Sequence, residues 1–408
     1  MATSPGDAPQ TRVSEAPATP IQVLLLVAAS FTVLAGAIVV PTLPSIRDAY
    51  PTYPNIDLLA RLVVSLPPLF IALASPLVGW VIDRHGRKPM LVAGLLAYAL
   101  FGTTGAYLDN LWGLLAGRAA LGIAVAGVMT TTQTLVADFF SPAGRNRYLG
   151  YQTGVMAGGG MLYISLGGVL ADIDWRYTFW VYALSLTMVP FVLRLLPEPT
   201  PSQRAGGPLQ TTPSAAATFR PREAIGLLIL AFLGMVLFYL IVVQIPFLLE
   251  AERFGGVTGT ETSLAIAVGT LVGALIALTY SRLRRTLSYT GLFVVFFGMM
   301  GTGYALVATA STYYDVMLGI GLSGLGFGLL TPNSTSMMML LVPPRLRGRY
   351  MGGLTMAFFL GQFSSPLVVQ PLAATGGPAL AFEYAALFSA GTALTLLIYG
   401  AGARRLFA

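Results

Sequence analysis

Long apolar runs separated by short polar turns set the pattern of this chain. Runs of about 20 residues, the length needed to cross a bilayer core, recur at 21–41, 58–80, 89–108, 111–137, 147–171, 175–196, 223–247, 260–281, 288–309, 313–341, 350–372 and 379–402. The pattern predicts an all-α integral membrane protein with twelve transmembrane helices. A proline-rich, apolar-poor stretch at 197–222 divides them six and six. It reads as a flexible cytoplasmic linker between a six-helix bundle at 21–196 and another at 223–402. Residues 1–20 and 403–408 read as cytoplasmic tails, the first disordered and lacking the basic start of a secretory signal.

Basic residues orient the bundle. Of 23 lysines and arginines, 18 fall in the tails, the linker and the loops on one side. Arg47, Arg61, Arg176 and Arg253 lie on the other, and Arg118 sits within a span. Short cytoplasmic loops collect positive charge, so both termini are placed in the cytoplasm. The net charge of +7 is therefore mostly a topology signal, which argues against nucleic-acid binding. Composition agrees, with 55% hydrophobic and 10% charged residues. Trp80 on the inner side and Trp112, Trp175 and Trp180 near the outer side fit as interfacial anchors. The chain has no cysteine, and Lys88 is its only lysine. The arginine bias fits a GC-rich genome and a multi-pass protein of a bacterial inner membrane.

The halves also repeat. Pro142-Ala-Gly-Arg-Asn-Arg147-Tyr148-Leu-Gly150 matches Pro344-Arg-Leu-Arg-Gly-Arg349-Tyr350-Met-Gly352 at an offset of 202. The same offset pairs Gly122 with Gly324, Thr153 with Thr355 and Gly159 with Gly361. Such symmetry implies two related six-helix units with a site near the midplane between them.

The loop Gly79-Trp-Val-Ile-Asp83-Arg84-His85-Gly86-Arg87-Lys88 resembles the loop 2–3 signature of the major facilitator superfamily. The resemblance covers residues 21–402 and is greatest to drug and metabolite efflux permeases. It implies that Asp83 caps the N-terminal end of the eleventh helix beside Gly352, and that Arg87 pairs with Asp138 at the base of the fourth. A carboxylate at a helix N-terminus gains from the dipole and unpaired N–H groups. These gating contacts would join the cytoplasmic ends in the outward-open state and part in the inward-open one. The second-half loop Tyr280-Ser-Arg282-Leu-Arg284-Arg285 lacks both the aspartate and the glycine, so a single latch of this kind is expected.

Other signatures are uneven. Gly117-Arg118-Ala-Ala-Leu-Gly122 resembles motif B, whose arginine faces the central cavity, and a buried guanidinium in a membrane is costly and usually functional. The antiporter signature of the fifth helix is half present, with Tyr163-Ile164 standing where Gly-Pro belongs. Ala35 occupies the first-helix place where drug–proton antiporters often carry an acid. None of the 16 acidic residues sits unambiguously mid-span, and His85, the lone histidine, lies in a loop.

A pocket with a buried arginine and no carboxylate suits an anionic, zwitterionic or neutral organic solute. The expected contacts are Arg118 with the uncharged donors Gln133, Tyr163, Tyr239, Gln244, Asn333 and Gln362. Pro332 interrupts the helical ladder next to Asn333, which is tolerated where side chains or cavity water re-satisfy the backbone. No nucleotide loop, metal-ligand spacing or nucleophile–base pair occurs, so no enzyme, cofactor or metal is expected. The resemblance implies alternating-access transport by a monomer, as efflux coupled to protons. Import or facilitated movement of a small organic anion is the alternative, and a non-transporting sensor on the same scaffold a further one that measurable flux would exclude.

Overall fold

A computed structural model of the chain describes residues 19–199, 219–251 and 254–403. Most of the two expected tails and of the expected linker lies outside these residues, and Thr19 and Pro20 already belong to the first helix. Among the described residues, eleven helices are long and apolar enough to cross a membrane. The first half contains α1 (Thr19–Ala49), α2 (Ile56–His85), α3 (Arg87–Gly102), α4 (Leu111–Phe139), α5 (Pro142–Ile173) and α6 (Tyr177–Leu195). Two of these are interrupted. A 3-10 turn at Val40–Thr42, with Pro41 in it, breaks α1, and another at Val181–Leu184 breaks α6.

The second half contains α7 (Pro221–Leu249), α8 (Gly259–Thr286), α9 (Tyr289–Ala308), α10 (Tyr313–Leu341) and the continuous segment Pro344–Ala403. That last segment replaces two separately expected spans. Its apolar core of 55 residues would run to about 80 Å, against a bilayer core of about 30 Å. Non-helical angles at Gly376 and at Gly377, where φ is 77°, divide it into arms α11 (344–375) and α12 (378–403). The two arms therefore meet at a kink of two glycines without an intervening loop. Only glycine takes the Gly377 conformation without strain.

Helix starts follow side-chain chemistry. Asn110, Ser141 and Ser288 each accept a hydrogen bond from the backbone three residues on. Thr258 with Glu261 and Thr312 with Asp315 form reciprocal capping boxes. Within the halves, α4 packs on α2 and α3, and α10 packs on α8 and α9. Between the halves, α5 packs on α8, and α2 on the final long helix.

The internal repeat reappears as geometry. Gly122 of α4 lies against the Pro67 carbonyl of α2, and its mate Gly324 of α10 against the Gly269 carbonyl of α8. Gly159 faces Ser30, while Gly361 faces Phe232, and every one of these pairs shares the offset of 202. Small residues let backbones approach without a hydrophobic driving force, which lipid does not supply. At Gly328 a Cβ would run into Ile276 and the Gly273 carbonyl, whereas Gly226 has open space. Gly328→Val is therefore expected to cost the ~1–3 kcal/mol typical of overpacking, and Gly226→Ala to be neutral or slightly stabilising. Thermal melts of the detergent-solubilised protein read both.

Candidate functional site

The polar contacts that cross between the halves gather at the outer end. Arg47 donates to Glu250 at 2.6 Å. Arg61 of α2 is buried, donates to the Val243 carbonyl at 3.2 Å and the Gln244 side chain at 2.9 Å, and lies over the Phe247 ring at 3.8 Å. Tyr239 of α7 donates to the Val64 carbonyl at 3.1 Å. Asp172, near the end of α5, accepts from the backbone N–H groups of Gly259 and Thr260 at the start of α8. Consistent with this closure, every residue of α7 from Met235 to Leu249 except Phe238 is buried.

The cytoplasmic end differs. Asp83 is 75% exposed and reaches Arg87 of its own half at 3.5 Å. Gly352, the expected partner region on α11, has open space around it. Arg87 in turn pairs with Asp138 at 3.0 Å, with both side chains more than nine-tenths buried. Glu198 accepts from the backbone N–H groups of Arg87 and Lys88 at 2.7 and 2.8 Å, which caps α3 and ties the end of the first half to the loop. Gly86, at φ 96°, makes room for that carboxylate. The arrangement is closed outside, with the Asp83 contact to α11 unmade.

Arg118 sits behind the space between the halves rather than in it. It is 0% exposed. Its guanidinium donates to the Val63 carbonyl at 2.6 Å, the Ala35 carbonyl at 2.6 Å and the Tyr182 hydroxyl at 2.8 Å. Tyr182 also donates to Ala35, so one arginine binds α1, α2, α4 and α6 together. Three of the five guanidinium N–H donors are thus engaged by neutral oxygens of neighbouring helices.

The remaining expected solute contacts are dispersed. Gln244 and Tyr239 belong to the outer closure. Asn333 is buried and donates to the Tyr289 carbonyl of α9. Tyr163 shares a hydrogen bond with Ser30 at 2.8 Å. Gln133 is exposed on α4, and Gln362 is half-buried beside the Met235 sulfur. None of the seven lines the crevice between α7, α8 and α10, a narrow cleft with a cavity volume of about 20 Å³. Phe238 and Phe327 stack there with centroids 3.5 Å apart, next to Ile266, Thr270 and Ser323. Sequence reading missed this aromatic pair, because two phenylalanines 89 positions apart in apolar runs carry no local signal. It also passed over Asp172 and the role of Arg61.

Two helical bundles joined at one end, with polar groups aimed across the seam, are the architecture of a membrane transporter. The chain belongs to the Major Facilitator Superfamily, whose sequence profile matches residues 25–366. It is 25% identical over 307 residues to the 3-(3-hydroxy-phenyl)propionate transporter of Escherichia coli K12, covering 73% of each chain. It is also 25% identical over 328 residues to a multi-drug resistance efflux pump homolog of Lactococcus lactis, covering 78% of this chain and 79% of that one. The D-xylose-proton symporter shares the fold with a TM-score of 0.72 at 14% identity, over 92% of this chain and 96% of that one. The human organic anion transporter MFSD10 does so with a TM-score of 0.68 at 19% identity, over 94% and 100%. The protein is thus a multi-pass cell-membrane transporter of small molecules and not an enzyme.

The buried Arg87–Asp138 pair gives a direct test of what holds the loop. Arg87→Ala strands a buried carboxylate and is expected to cost about 3–5 kcal/mol. Combining Arg87→Met with Asp138→Leu should recover most of that loss, and melts of the single and double variants measure the coupling.

Proposed function

We propose that the cargo is a small organic anion or neutral solute, moved by alternating access between the two bundles. The observation that carries this reading is the chemistry around Arg118. Its guanidinium is fully buried, and its bonds go to neutral oxygens, two carbonyls and a hydroxyl. Low dielectric lets such a charge act at a distance, favouring anions between the bundles and repelling cations. The acidic side chains of the described residues lie in loops or within about two turns of helix ends, so none offsets it near the midplane. The stacked Phe238 and Phe327 supply an apolar surface against which the carbon skeleton of a solute would rest.

In this reading Asp83, Arg87, Asp138 and Gly352 control the cytoplasmic side, with Arg118 setting charge preference through its field. Export follows the efflux pump homolog of Lactococcus lactis, and coupling to proton influx is the expectation that the family resemblance adds. A second reading, import of an organic anion, draws on the propionate transporter of Escherichia coli.

Ligand-induced thermal stabilisation tests the charge argument. A ligand present at 100 times its Kd stabilises the native state by about 2.7 kcal/mol. Organic anions and neutral metabolites should raise the melting temperature of the wild type, and Arg118→Gln should weaken the response to anions more than to neutral compounds. Equal stabilisation by lipophilic cations, indifferent to the substitution, would sink the proposal.

A further inference from the structure

We propose that the outer closure is a working gate whose bolt is Asp172 on the first turn of α8, reinforced by the Arg61 clamp on α7. The inference rests on alternating access but not on the charge of the cargo. Asp172 accepts from Gly259 N–H at 2.6 Å, Thr260 N–H at 3.1 Å and the Thr260 hydroxyl at 2.5 Å. These backbone donors belong to the turn that leaves its N–H groups without intrahelical partners, so a carboxylate from the other half completes the helix. One turn earlier, Gly168 meets the Gly259 carbonyl and Ser263, and a Cβ there would clash with both. The helices therefore touch backbone to backbone at the point where the bolt engages.

Arg61 closes the other side of the seam. Besides Val243, Gln244 and Phe247 across the boundary, it has Asp57 at 3.7 Å on its own helix. Arg47 and Glu250 join the halves at the rim.

Two features distinguish a gate from a permanent interface. First, the seam buries polar atoms that it does not satisfy. Gln244 Nε2 and the Ser263 hydroxyl are buried without a hydrogen-bond partner. A fixed interface pays that cost continually, whereas a gate recovers it whenever it opens and water enters. Second, the bolt has the same chemistry that the loop signature assigns to Asp83 and α11 at the opposite end: a first-half carboxylate on a second-half helix N-terminus. Like latches at opposite ends let the bundle exchange one for the other.

The chain has no cysteine, so a single introduced thiol reports the gate without any knowledge of the cargo. Ser263→Cys places that thiol inside the seam. Its reaction with a membrane-impermeant maleimide is followed from the outer face in intact cells, in an otherwise wild-type background and with Asp172→Asn or Arg61→Gln. Loss of a charge-assisted contact at a partly exposed site should speed labelling about tenfold. Asp172→Glu should restore the slow rate, an outcome general destabilisation would not give. If Asp172→Asn fails to fold, Thr260→Val removes the hydroxyl donor and should speed labelling by a smaller factor. Unchanged rates in the folded bolt and clamp variants would overturn the gate and leave a permanent seam. That result would not bear on cargo charge, which the thermal-shift panel reads separately.

Discussion

A guanidinium inside a bilayer must find oxygen atoms within reach, and the first half is organised around one that does. Arg118 takes the Val63 carbonyl from α2, the Ala35 carbonyl from α1 and the hydroxyl of Tyr182 from α6. Pro67, four residues after Val63, has no N–H to donate, so the arginine supplies the Val63 carbonyl with a partner, while the Ala35 carbonyl takes Arg118 and Tyr182 on its two lone pairs. Removing any of these partners would leave buried donors unsatisfied, so four helices are bound to move as one body. Rigid bundles are a requirement of alternating access, because a seam can open cleanly only if the pieces on either side keep their shape.

The second half meets the same requirement by other means. The repeat mate of Arg118 is Ile320, which packs against Gly269. The carbonyl equivalent to Ala35 is that of Leu237, and it accepts a hydrogen bond from Tyr304. Glycine contacts between α8 and α10 at Gly269, Gly273, Gly324 and Gly328 do the rest. One bundle is thus held by a charge shared among carbonyls and the other by close backbone packing. Among the described residues, the buried arginines Arg61, Arg87 and Arg118 all belong to the first half.

Much of this fold is legible in the sequence because span length and charge bias are local quantities. The α10 boundaries agree to the residue with the apolar run at 313–341. The boundary between α11 and α12 is legible too, because the expected gap between 372 and 379 contains Gly376-Gly377, where the backbone leaves the helical region. Site residues are harder for a physical reason. A polar side chain in an apolar run serves a cavity or a neighbouring helix equally well, and Asn333, Gln244 and Arg118 were all engaged by neighbours. The Asp172 contact spans 87 positions and relies on backbone donors, which have no residue signature at all.

Glu198 orders the loop ahead of any contact with the second half. By capping α3 and pinning the loop at Gly86, it holds the groups around Arg87 in place while Asp83 reaches only Arg87 of its own half. A loop ordered in advance loses little conformational entropy when its partner arrives. In the proposed cycle, shutting the cytoplasmic side would then require the two bundles to swing together, with no added search by a wandering segment.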